Sequence, residues 1–187
     1  MELKFRTSQA MNFTTTRYWI VFNTSGTGTT PYANASLSNY LNYSFAFVVG
    51  GNGVTVTPLL YEYVAPSNGA QAVAVQLFYT PQQVIFTQNS NGQNTEYTLL
   101  FARSLFSGVA TPAPVVSNTW FYNFFTTDTS NNPLDALGTG GASDTSYQGG
   151  PLSIASVFDT TINVPTGAVQ APYAAAQITG GEIINSP

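Results

Sequence analysis

The sequence predicts an all-β protein built as an antiparallel sandwich, and three observations predict it. Short runs rich in Val, Ile, Tyr, Phe and Thr, many with apolar and polar residues alternating, recur along the 187 residues. Clusters of Gly, Pro and Asn punctuate them at short intervals. Helix has little claim anywhere, since only Ala168 to Ala176 has helix-forming composition and Pro172 interrupts it. About eight to ten strands follow, at spacings typical of sandwiches. A jelly roll of two Greek-key sheets fits best, and an immunoglobulin-like sandwich is the second choice. One domain is expected over 1–187, with an N-terminal arm (1–16) and a C-terminal arm (about 165–187).

The central feature is Tyr43 to Val64. Tyr43, Phe45 and Phe47 alternate with Ser44 and Ala46, then Gly50-Gly51-Asn52-Gly53 supplies a turn, and Val54 and Val56 alternate with Thr55 and Thr57. This predicts a hairpin with an aromatic face, its second arm ending at Pro58 and Leu59 to Val64 forming a separate short strand. Before it, Arg17 to Asn23 is a strand, followed by a Thr/Ser/Gly loop from Thr24 to Ala35. After it, Ala72 to Thr80, Gln83 to Gln88 and Thr95 to Ala102 read as strands, with turns at Pro66 to Gly69 and Asn89 to Asn94. Asn118 to Phe125 is apolar on both faces, which suits a strand inside a packed sandwich. Thr126 to Gly150 reads as one long irregular loop, Leu152 to Val164 as one or two strands, and Gln177 to Ile184 as a last strand.

Charge is the anomaly. Only 6% of residues are charged, against about 25% in an ordinary soluble domain. None lies between Tyr18 and Tyr61. Such a neutral surface suits a protein embedded in an assembly, because interface cores are depleted of charge. No apolar run approaches the roughly 18 to 20 residues of a transmembrane helix, and Met1 to Phe13 lacks the apolar core of a secretory signal. Lys4, Arg6 and Arg17 are too few for a nucleic-acid footprint, so no specific nucleic-acid partner is expected and the basic start reads as a solvated end.

With no histidine and no cysteine, Ser-His-Asp and Cys-His catalysis and His- or Cys-ligated zinc are excluded. Glu62 and Glu96, each on a predicted strand beside a tyrosine, are the candidate catalytic pair, because two carboxylates across a cleft perform glycoside hydrolysis. The competing and favoured reading makes each an exposed solubilising charge. Asp128, Asn131, Asn132 and Asp135 offer oxygen donors of the kind calcium takes, but the spacing matches no EF-hand, and turn chemistry is favoured for this stretch. No cofactor is expected. Sequons occur at Asn12, Asn23, Asn34 and Asn42 and carry meaning in a glycosylating compartment. Aromatics make up 14% of the chain; they either fill the core, the favoured reading, or stack a glycan on an exposed face.

Thr57 to Val64, T-P-L-L-Y-E-Y-V, resembles the nucleophile strand of the compact jelly-roll xylanases. That likeness implies a glycosidase with Glu62 as nucleophile, although the family's tryptophan-rich cleft is missing and an extra Tyr61 precedes the glutamate. Over the whole chain, the uncharged Tyr18 to Tyr61 block, the strand N-T-W-F-Y-N-F-F and the Gly/Asn/Thr loops resemble the jelly-roll capsid, turret and spike proteins of viruses of extremophiles. That resemblance implies a non-enzymatic subunit of a virion, whose partners are copies of itself and other assembly proteins. Three Asn-Gly pairs, at Asn52, Asn68 and Asn91, argue against a very hot habitat. A secreted surface filament or S-layer-associated subunit is the alternative. The neutral side chains opposite the aromatic face then become candidate subunit contacts: Ser44, Ala46, Thr55 and Thr57, with Phe121 and Phe125.

Overall fold

The computed structural model describes residues 1–26, 43–50, 56–64, 73–89, 92–107, 109, 113–138 and 149–186. Twelve strands carry the fold: β1 (Glu2–Thr7), β2 (Thr16–Asn23), β3 (Phe45–Gly50), β4 (Leu59–Val64), β5 (Val73–Leu77), β6 (Val84–Gln88), β7 (Glu96–Phe101), β8 (Thr119–Asp128), β9 (Pro133–Ala136), β10 (Gly149–Ser153), β11 (Phe158–Asn163) and β12 (Ile178–Asn185). One sheet has five strands in the order β11-β12-β1-β7-β6. The other runs β10-β8-β2-β3-β4-β5, with β9 also paired to β8. Every pairing is antiparallel. The two sheets pack as a sandwich, as the strand periodicity predicts. Strands β2 to β5 form a four-strand meander within one sheet, and this order does not establish a jelly roll.

The core follows from period-two side-chain alternation. Leu3 and Phe5 of β1, with Tyr97, Leu99 and Phe101 of β7, face Tyr18, Ile20 and Phe22 of β2 and Phe45 and Phe47 of β3. Aromatic contacts knit the two sheets together. Phe5 stacks on Phe124 with ring centres 5.1 Å apart, and Phe45 stacks on Phe106 at 4.6 Å. Pairs of this kind contribute about 0.5–1.5 kcal/mol each beyond their buried area.

Strand β8 is buried on both faces along most of its ten residues. It pairs with β2 on one side, while β10 and β9 share its other edge, at Thr119–Tyr122 and Phe125–Thr127. A second apolar cluster therefore lies on the outer face of this sheet. Trp19, Val21, Ala46 and Phe125 are at most 1% exposed there, and the Trp19 Nε1–H donates to Thr127 Oγ1 at 2.9 Å.

Several expectations are corrected. The N-terminal stretch is no arm: Glu2–Thr7 is the middle strand of the five-stranded sheet, because Leu3 and Phe5 alternate inward between Glu2, Lys4 and Arg6. The C-terminal stretch is no free arm either, because its last strand, expected at Gln177 to Ile184, forms as β12 and pairs with β1 on one side and β11 on the other. The central hairpin uses a different second arm. Strand β3 pairs with β4, Phe45 opposite Glu62 and Phe47 opposite Leu60, so Leu59–Val64 takes the place expected for Val54 to Thr57. Tyr43 precedes the strand and joins the outer cluster, leaving the aromatic face to Phe45 and Phe47. Thr126 to Gly150 is not one loop either, since β8 continues to Asp128 and turns directly into β9.

Candidate functional site

Charge is sorted by face. The chain has four basic and eight acidic residues. Six of these sit on the outer face of the five-stranded sheet, where the register aligns Glu2, Lys4 and Arg6 of β1 with Glu96 of β7, Asp159 of β11 and Glu182 of β12. Lys4 bonds Glu182 and lies 3.4 Å from Glu2; Arg6 pairs with Glu96. The Lys4 ammonium holds the Glu182 carboxyl below the usual range, and Glu182 in turn raises Lys4. This is a conventional solvated sheet face, protected by mixed charge.

The two candidate catalytic glutamates are not brought together. Glu96 projects from that outer face on β7, whereas Glu62 is on β4 in the other sheet and faces the interior beside Phe45. The reading of Glu62 as an exposed charge is overturned, because it is fully buried. Its carboxylate accepts the Val109 N–H at 2.6 Å and so fastens the connector after β7 to the sheet. Two carboxylates on different sheets, pointing to different sides of one of them, frame no shared cleft for a glycosidic bond.

Asp128 and Asp135 are also placed apart. Asp128 closes the β8–β9 turn: Oδ1 accepts the N–H of Ser130 and of Asn132 at 2.8 Å each, and Oδ2 accepts Asn132 Nδ2 at 2.7 Å. Burial works against its ionisation, but those bonds and the nearby Arg17 outweigh it and hold the carboxyl below its ordinary value. Asn131 takes the left-handed conformation of the turn at φ 65° and accepts from Arg17. Turn chemistry accounts for this group of residues. Among the described residues no cluster of three acidic side chains is placed to hold a metal ion.

Asp135 does something the sequence does not reveal. It is buried opposite Thr126, and its Oδ2 accepts the Ile178 N–H of β12 at 2.7 Å while Oδ1 accepts Ala136 N–H at 2.9 Å. Burial pushes its carboxyl up to about 6, partly opposed by those two bonds. It anchors a strap, residues 173–178, that closes one end of the sandwich. Four successive carbonyls of the strap are satisfied by three different segments. Ser8 Oγ donates to Ala174 O at 2.9 Å and the Tyr18 hydroxyl to Ala175 O at 3.0 Å. Thr126 Oγ1 donates to Ala176 O at 2.7 Å, and the Ser8 N–H to Gln177 O at 3.0 Å.

On another side the surface is grooved, with polar and apolar side chains mixed along its walls. Three adjoining depressions, each of 380–480 Å³, follow the segment around the short 3₁₀ turn Arg103–Leu105. Arg103 and Ile154 line two of them, and Ser104 and Ser107 are shared by another two. Their walls carry exposed Phe78, Val109, Val116 and Val157. Phe78 is 87% exposed.

The candidate contact residues divide. Ala46 and Phe125 are fully buried within the single chain, and Ser44 is buried with its Oγ accepting the Thr24 N–H at 3.0 Å, so these three offer a neighbour no surface. Thr57 is exposed, Phe121 is half-buried, and Thr55 lies outside the described residues. The sequence carries no signal for this groove, because its exposed valines stand in connectors, where period-two patterning is absent. Both tryptophans are buried, which fits the reading of aromatics as core rather than as a sugar platform.

Among the described residues, fold and site together define an all-β antiparallel sandwich with a strapped end, a charged face and a grooved side that carries exposed apolar side chains. No protein-family model, curated protein or solved structure matches the chain.

Proposed function

We propose that the protein is a non-enzymatic structural subunit of a virion or similar surface assembly, contacting copies of itself and other assembly proteins. The observation that carries this reading is the groove system around Arg103–Leu105 with its exposed Phe78, Val109, Val116 and Val157. Scattered exposed apolar side chains are ordinary, whereas several of them gathered along one system of depressions suit an interaction surface. The charged outer face of the five-stranded sheet stays solvated and directs association to the groove. Support also comes from the two candidate catalytic carboxylates, which lie on different sheets.

Light scattering coupled to size exclusion, over a wide concentration range, tests the proposal. Concentration-dependent oligomers are expected. A strict monomer at the highest concentration, in the presence and absence of salt, would overturn self-assembly.

A further inference from the structure

Of the two sequons within the described residues, the fold keeps one at the surface and shuts the other away. Asn12-Phe13-Thr14 lies in the crossover from β1 to β2, with Asn12 and Thr14 both exposed. Asn12 Oδ1 accepts the N–H of Thr14 at 3.1 Å and of Thr15 at 3.3 Å. Both bonds fall on the oxygen, and among the described residues nothing bonds Nδ2, the atom that carries an N-linked sugar, on this exposed side chain. The side chain is thus already folded back toward the sequon threonine. Asn23-Thr24-Ser25 is the contrast. Asn23 is 2% exposed at the end of β2 and paired opposite Phe121, and its Oδ1 accepts from Ser25 N at 3.0 Å and Ser25 Oγ at 2.6 Å.

We infer that Asn12 is an acceptor for an N-linked glycan and that the folded chain excludes one from Asn23. The inference goes beyond the assembly reading and does not depend on it. In the transfer, Asn12 Nδ2 forms a bond to C1 of an oligosaccharide as the bond from C1 to its lipid pyrophosphate carrier breaks. The amide nitrogen loses one proton to solvent through the transferase and the lipid pyrophosphate departs as an anion, the donor and transferase belonging to the compartment that makes the protein. A bulky hydrophilic chain at Asn12 costs the fold nothing that the exposed side chain does not already concede. The same chain at Asn23 would have to part β2 from its neighbours β3 and β8.

Trypsin makes the test clean. Cleavage at Arg6 and Arg17 isolates Thr7 to Arg17 with Asn12 as its only asparagine, and the next cleavage comes at Arg103. The full chain, routed through a eukaryotic secretory pathway by an added signal, is purified as folded protein. It is then deglycosylated enzymatically in heavy-oxygen water, digested and sequenced by mass spectrometry. The expected result is heavy-oxygen aspartate at position 12 and none at 23. The label at position 12 should vanish in both Asn12→Gln and Thr14→Ala, the second of which leaves the asparagine in place. An unlabelled Thr7 to Arg17 peptide from secreted wild-type protein overturns the first half of the inference, and label at Asn23 overturns the second.

Discussion

Asp135 on β9 receives the backbone N–H of Ile178 on β12 at 2.7 Å, a single carboxylate joining the two sheets at the strapped end. Its cross-strand neighbour Thr126 holds Ala176 O at 2.7 Å, so one residue pair grips both sides of the strap. The group binds its proton more tightly when folded, its carboxyl standing at about 6 against 3.8 for a free one. Between those two values the folded state carries more protons than the unfolded, so stability falls as pH rises and levels off above about 6. The fall is at most about 3 kcal/mol. Asp128 and Glu182, both depressed, act in the opposite sense and lose their contribution only as pH drops below the ordinary carboxylate range. Urea unfolding of wild type between pH 4 and 6.5 should show the decline. Asp135→Asn should flatten it; the variant should lie about 1–3 kcal/mol below wild type at pH 4, because the amide has one acceptor for two N–H groups, and that deficit should shrink as pH rises toward 6.5. Equal slopes in the two proteins would exclude this role for Asp135.

Tyr97 carries the opposite kind of polar group. Its ring stacks on Phe5 with centres 5.5 Å apart and is wholly buried, while its hydroxyl has no hydrogen-bond partner among the described residues. Burial raises its pKa well above 10, so it stays neutral at all ordinary pH values. A buried hydroxyl without a partner carries a desolvation cost of about 1–3 kcal/mol. Tyr97→Phe should therefore raise the urea midpoint, with a gain of about 1 kcal/mol and an unchanged m-value. A loss instead would mean that the hydroxyl is satisfied in solution.

The contrast between these two residues shows what the sequence could and could not convey. Alternation locates Tyr97 in E-Y-T-L-L-F and places it inward without reference to the rest of the chain. The same alternation in E-L-K-F-R-T marks a strand, but the charges at Glu2, Lys4 and Arg6 made it read as a solvated arm. Those charges are the outer face of the most central strand of that sheet. Asp135 and Glu62 are harder still. Each is a carboxylate whose partner is a backbone N–H on a segment far along the chain, Ile178 and Val109, and no local pattern encodes that meeting. The second arm of the central hairpin escapes the sequence for a related reason. Val54 to Thr57 and Leu59 to Val64 are both good strand sequences, and only cross-strand pairing decides which of them β3 takes.

Two glycines should respond to alanine for different reasons. Gly181 on β12 has ordinary backbone angles, but a Cβ there would stand 2.2 Å from Lys4 O and 2.6 Å from Cε2 of Phe124. Its absence lets the Phe124 ring lie directly on the opposite sheet. Gly181→Ala should cost about 3 kcal/mol or more, as overpacking against backbone cannot relax. Gly92 has φ +76° and nothing within 4 Å. Gly92→Ala should cost only about 1–2 kcal/mol, the left-handed penalty alone. Denaturation midpoints of the two variants should rank in that order.

The groove prediction separates association from folding. Phe78, 87% exposed, and Val157, 70% exposed, stand on different walls of the groove system and contribute little to the core. Surface substitutions away from structural features change stability by about 0.5 kcal/mol or less, so Phe78→Ser and Val157→Ser should unfold with wild type. Removing an anchor from the centre of a contact costs about 2 kcal/mol or more of binding, which is roughly a thirtyfold weaker association. The double variant should stay monomeric at concentrations where wild type associates, in the same light-scattering series. Lys4→Ala on the charged outer face serves as the control and should leave association unchanged. If Lys4→Ala dissociates the oligomer and the groove variants do not, the contact lies on the five-stranded sheet and the groove is not the assembly surface.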